Sequence, residues 1–215
     1  GENTLELNKL GVIPIFEKLR RTNSEHMKIG VLTGSIIILP VSACELFEDC
    51  AESRGVTRLT YNPLPYDTGY IQVALTEGLK NDVVKIVTDV FQKGGIEILI
   101  GTKSLLGEGW DAPVLNSLVL ASFVGSFVLS NQMRGRAIRV EKGNREKASN
   151  IWHLVSINLS PRRWFDFQDE EEKYDETLEL QLYALSPDLD LLDRRMTQFL
   201  GLHYQEPTIE SGIDR

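Results

Sequence analysis

The most regular stretch of the chain is NDVVKIVTDVFQKGG, in which Val83, Ile86, Val87, Val90 and Phe91 recur at intervals of three and four. That spacing gathers five apolar side chains on one side of a helix, and Gly94-Gly95 supplies a stop. The apolar run IEILIG after it predicts a strand. Upstream, Ile36–Leu39 is a short, largely β-branched run closed by Pro40, which predicts a buried strand. SACELFEDCAE predicts a helix with Ser42 as N-cap and Glu45 three residues on, a capping-box pattern. VTRLTYNPLPYDTGYIQVAL carries Asn62, Pro63 and Pro65, and reads as strand, loop and extended segment. At the start, LELNKLGVIPIFEKLRR has helical spacing that Gly11 and Pro14 interrupt.

Downstream, TKSLLGEGWDAP reads as a loop, LNSLVLAS as a strand, SNQMRGRAIRV as a helix and ASNIWHLVSINL as a last strand with Trp152 and His153 buried. Strands that are apolar almost throughout, alternating with helices, predict an α/β domain with a mainly parallel sheet flanked by helices. Its expected span is residues 28–160. Residues 1–27 are expected to form an N-terminal helical connector. Residues 161–215 are expected to form an acidic, largely helical C-terminal extension, broken near Pro187.

Charge sharpens this division. The 215 residues sum to −8, but ten acidic residues against one lysine fall between Asp166 and Asp190, so the rest of the chain is close to neutral. A polyanionic partner is therefore compatible with the main domain and not with the acidic extension. Cys44 and Cys50 lie six apart, at different angles around a helix, and the three histidines are scattered, so no metal-ligand spacing is present and reduced thiols are expected. Ala112–Met133 has 22 residues without a charge, but its asparagines, serines, Gln132 and central Gly125 make it too polar for a membrane span. A cytoplasmic protein with no membrane association is expected. The chain opens on Gly1 rather than methionine, which suggests a fragment or a processed product.

Two stretches carry candidate chemistry. In SNQMRGRAIR, a helix over Asn131–Val140 would align Gln132, Arg136 and Arg139 within a stripe about 60° wide, with Arg134 opposite. Gly135 costs such a helix about 1 kcal/mol relative to alanine and suggests close approach of something on that face. Guanidinium forks suit phosphate, although a solvated basic helix end explains the same pattern. In ILIGTKSLLGEGWDAP, Thr102 and Ser104 follow a strand's C-terminal end, where ligand clefts of α/β sheets open. Gly107, Gly109 and Asp111 then offer backbone N–H groups and a carboxylate; an ordinary glycine-rich turn is the plain alternative. Trp110 is either a base-stacking platform or a core residue.

GTKSLLGEGWDAP resembles motif V of superfamily 2 helicases, and QMRGRAIR is similar to their motif VI, Gln-x-x-Gly-Arg-x-x-Arg, at every fixed position. The resemblance covers roughly residues 31–159 and implies the second RecA-like domain of a DEAD/DEAH-type enzyme. It implies that Arg136 and Arg139 are arginine fingers at a transferring γ-phosphate. Gln132, Gly109 and Asp111 would contact the nucleotide, and Thr102, Lys103 and Ser104 a nucleic-acid backbone. ATP with Mg²⁺ is implied as cofactor, the metal held by a first RecA-like domain that also carries the phosphate-gripping loop. GIEILIGTKS is no such loop, because a strand fills the gap between its glycines, and DEEE at Asp169–Glu172 follows no apolar strand. No metal ligands are assigned to this chain. The expected function is the C-terminal half of an ATP-dependent helicase or translocase, inactive alone, with DNA before RNA as its track. The alternative is a non-catalytic RecA-like interaction or nucleic-acid-binding module.

Overall fold

The structure is a computed structural model that describes residues 11–107, 110–122, 127–144, 146–156, 186–198, 200–202 and 207–211. Two compact units divide the chain. One comprises Gly1–Leu118 with Asn131–Asn150, and the other Val119–Ser130 with Ile151–Arg215.

The first unit is built on a five-stranded sheet. Its strands are β1 (Ile29–Leu32), β2 (Ile37–Pro40), β3 (Tyr61–Leu64), β4 (Asp67–Val73) and β5 (Ile98–Gly101), in the order β3-β4-β2-β1-β5. Only β1 and β5 are parallel, with Val31 opposite Ile100; β1–β2, β2–β4 and β3–β4 are antiparallel. The protein is thus mixed α/β, and the expectation of a mainly parallel sheet is corrected. Two tight connections set the directions: the Thr33 amide bonds to the Ile36 carbonyl where β1 turns back into β2, and β3 turns into β4 within the segment with two prolines. That segment, read as strand, loop and extended segment, folds as a hairpin, Leu64 opposite Asp67 with Pro65-Tyr66 between them. Pro63 is tolerated because β3 is the edge strand, where a missing N–H costs no central ladder bond.

β1 and β2 are buried at every position because both faces of the sheet are covered. On one face Phe16 of α1 (Val12–Arg21) packs with Ile29, Val31, Ile38 and Ile100. On the other, α2 (Cys44–Glu52) and α4 (Val83–Gln92) enclose Leu32, Ile37, Leu39, Phe47, Ile86, Val87 and Val90. A four-residue helix α3 (Glu77–Lys80) leads into α4. The helical stripe read from the sequence is the buried face of α4, and Gly94 leaves the helix at φ 76°. Pro14 falls in the first turn of α1, where its missing N–H breaks no intrahelical bond. Ser42 does not cap α2: it lies in a 3-10 turn, Val41–Ala43, and the N-cap position falls to Ala43.

The chain continues through a short helix α5 (Lys103–Gly107), β6 (Ser117–Leu120), α6 (Phe127–Ala137) and β7 (Asn150–His153). β6 and β7 form a separate two-stranded sheet. The amides of Asn150 and Leu154 bond to the carbonyls of Asn116 and Leu120, so both strands advance in the same, parallel sense. Trp152, expected to be buried, is 59% exposed, and His153 is only half-buried. In the second unit, Pro187 starts a helix. It is the first residue of α7 (Pro187–Met196), which Ser186 caps through a bond from the Leu189 amide. An antiparallel pair, β8 (Leu200–Leu202) and β9 (Ile209–Ser211), adds strand to an extension expected to be largely helical. Asp169–Glu172 lie outside the described residues. No described helix is long and apolar enough to cross a membrane.

α1 is fastened to the hairpin by charge. Arg20 donates two bonds to Glu17, at 2.8 and 2.7 Å, and one to Asp67 at 3.1 Å, while its guanidinium lies 4.8 Å over the Tyr66 ring. The Glu17 and Arg20 side chains are only 13% and 12% exposed. The bond from Arg20 holds the Glu17 carboxyl below the ordinary carboxylate range despite its partial burial. A carboxyl lowered on folding contributes stability that is present above its unfolded pKa and is lost as pH falls through the folded one. Glu17→Gln should therefore cost about 1–2 kcal/mol at pH 7, and the gap to wild type should close as acid protonates Glu17. Equilibrium unfolding of both proteins between pH 7 and pH 3 measures this; a gap independent of pH would show that the charge is not what holds α1.

Candidate functional site

The candidate residues converge where the loop after β5 meets the end of α6. At the C-terminal end of β5, the Thr102 carbonyl accepts bonds from the Leu105 and Leu106 amides and starts α5, where a plain loop was expected. The Thr102 and Ser104 hydroxyls lie 3.1 Å apart, Thr102 half-buried and Lys103 and Ser104 exposed. Gly101 is required here, since a Cβ would come 3.0 Å from the Leu32 carbonyl and 2.9 Å from Leu106 Cγ.

α4 fixes the far end of the loop. Trp110 is 7% exposed, its indole N–H donates to the Thr88 hydroxyl at 2.8 Å, and its ring lies 6.2 Å from that of Phe91. It is a core residue, not a stacking platform. One turn along α4, Gln92 Nε2 donates to the Asp111 carbonyl at 3.1 Å. Asp111 is thereby held at the rim with its carboxylate exposed.

α6 ends at Ala137, so Arg139 lies beyond the helix and the stripe drawn through Asn131–Val140 does not extend to it. Both arginines nevertheless reach the same loop. Arg136 Nη1 donates to the Leu106 carbonyl at 2.9 Å, and Arg139 Nη1 stands 2.5 Å from Asp111 Oδ1. The ion pair is open to water, its side chains 49% and 52% exposed. Pairs of this kind contribute about 0–1 kcal/mol, so Arg139 exchanges partners at little cost. Gln132 is exposed on α6, one turn before Arg136 and on the same side. Arg134 is turned elsewhere: it donates to Asn131 at 2.6 Å, and burial draws its pKa down from the ordinary value. A Cβ built on Gly135 meets nothing within 4 Å among the described residues, so no contact with them accounts for that glycine. Gly109 lies outside the described residues.

The structure thus pairs Arg139 with Asp111 and brings Arg136 to Leu106 of the same loop. Thr102, Lys103 and Ser104 stand about one helical turn away, at the opposite end of α5 from Leu106. Lys147 and Ser149, which no sequence signal marked, join the group through backbone carbonyls. Lys147 Nζ donates to Pro113, Arg139 and Ala137 at 2.6, 2.7 and 3.2 Å, and Ser149 Oγ donates to Ala137 at 2.6 Å. Two permanently cationic forks on one loop suit an anion, and phosphate above all. No cluster of three or more His, Cys, Asp or Glu side chains able to hold a metal occurs among the described residues. A separate cavity in the second unit, about 20 Å³ and lined in part by Ser122, Ser130, His153 and Arg195, has room for about one water and includes none of the candidate residues.

Compared with known proteins, the chain matches no family model and no curated protein.

The anchoring of the loop is open to test. Thr88→Val leaves the buried indole N–H without its acceptor and should cost about 1–2 kcal/mol, and Trp110→Ala about 3–5 kcal/mol. Denaturant unfolding measures both; a wild-type midpoint for Thr88→Val would mean that the hydroxyl does not hold the loop.

Proposed function

We propose that this chain is the arginine-bearing lobe of a two-lobed, ATP-dependent helicase or translocase of RecA-like descent, acting on nucleic acid, with DNA as the favoured track. The observation that carries the reading is the convergence of Arg136 and Arg139 on a single loop, through Leu106 and Asp111. The two stretches that resemble motifs V and VI are distant in sequence and adjacent in space. The open position at Gly135 adds support, since a helix face without a side chain leaves room for a partner surface. The mixed sheet departs from a mainly parallel RecA-like one, so the reading rests on the contacts of the motifs and not on the sheet.

In this reading a first lobe would present ATP and hold Mg²⁺, which would supply charge neutralisation at the phosphates. Arg136 and Arg139 would meet the γ-phosphate as the cleft closes, with Gln132 beside them and Asp111 and Gly109 toward the ribose. Asp111 holds Arg139 at the rim until the phosphate replaces it. Thr102, Lys103 and Ser104 would face a nucleic-acid backbone from the head of α5. The rival reading, a module without catalysis, draws on the same ion pair: Arg139 and Asp111 would then simply neutralise one another.

The two readings separate in the protein as its gene encodes it. Arg136→Ala and Arg139→Ala should each lower DNA-stimulated ATP hydrolysis by about 10³-fold or more while leaving ATP binding largely intact. Turnover near wild type in both variants rejects the catalytic reading, and turnover in neither the parent nor the variants favours the module.

A further inference from the structure

Lys147 extends the functional reading to a residue outside both motifs. Its ammonium group has three hydrogens and three acceptors, the carbonyls of Pro113, Arg139 and Ala137. Pro113 lies two residues past Asp111; the other two carbonyls bracket the exit from α6. A cation is favoured there by the helix dipole, and Ser149 adds a second donor on Ala137. Capping α6 would need only that helix's own carbonyls. The bond to Pro113 does more, since it ties the end of α6 to the loop that carries Asp111.

We propose that Lys147 is a positioning residue for Arg139: it clamps the backbone on both sides of the Arg139–Asp111 pair and so sets where that guanidinium stands. The inference rests on the catalytic reading above. All three protons of Lys147 are engaged by backbone oxygens, so its own role is geometric. The clamped segment is otherwise loosely held. The Ile138 and Arg139 amides bond back to the carbonyls of Arg134 and Arg136 at 3.3 and 3.4 Å, the long end of the hydrogen-bond range.

Lys147→Met keeps the aliphatic stem and removes all three donors; Lys147→Arg keeps charge and donors. Amide hydrogen exchange on the protein as its gene encodes it, without nucleotide, reads the clamp directly. In Lys147→Met the Ile138 and Arg139 amides should exchange about tenfold faster, with those of α4 unchanged. In DNA-stimulated hydrolysis the same variant should lose about tenfold or more in kcat, with KM for ATP within about twofold and Lys147→Arg recovering part of the loss. Unchanged exchange at Ile138 and Arg139 overturns the proposal. So does a wild-type kcat in Lys147→Met where Arg139→Ala is inactive. Full turnover in Arg139→Ala would instead remove the catalytic reading beneath it, while the exchange arm still decides the clamp.

Discussion

A buried indole N–H must find an acceptor, and the geometry of the site follows from where Trp110 finds it. Thr88 lies on the buried side of α4, and its hydroxyl takes that hydrogen at 2.8 Å. Gln92, one turn further along the same helix, holds the carbonyl of the next loop residue, Asp111. Two positions on one stripe of α4 therefore fix two successive residues of the loop. Since α4 is itself seated on β1 and β2 through Ile86, Val87 and Val90, the loop's position derives from the core of the first unit.

From that anchor the contacts run outward in decreasing order of rigidity. Trp110 is buried, Asp111 beside it is exposed, and the partner of Asp111 is an arginine beyond the end of α6. A buried donor left unsatisfied costs about 1–3 kcal/mol, whereas a half-exposed ion pair contributes about 0–1 kcal/mol. The same short segment thus joins a tether that is costly to break to one that is cheap to exchange.

The elements legible in the sequence are those whose pattern is local. The stripe on α4 and its glycine stop and the apolar strands β2 and β5 follow from side-chain periodicity. Strand direction does not. An all-buried run such as β2 looks the same whether its neighbours are parallel or antiparallel, and its direction is set by the Thr33–Ile36 turn from β1 and by the pairing with β4. The site was legible as residue types and only partly as geometry. A period of 3.6 residues ran through Arg139 because nothing in the sequence shows that α6 stops at Ala137. The groups that take over there, Lys147 and Ser149, lie ten and twelve residues away in an ordinary charged loop. A lysine that bonds only backbone carbonyls leaves no pattern in the sequence, because its acceptors occur at every residue.

This difference in kind separates the two cations that meet at Arg139. Lys147 binds peptide oxygens, which are uncharged and fixed by the fold, through three contacts that saturate its donors. Arg139 binds a carboxylate, which is charged, exposed and held by its own backbone instead of its side chain. A stronger anion brought to the rim competes with Asp111 and leaves the three carbonyls on Lys147 untouched. The backbone can therefore stay in place while the guanidinium changes partner.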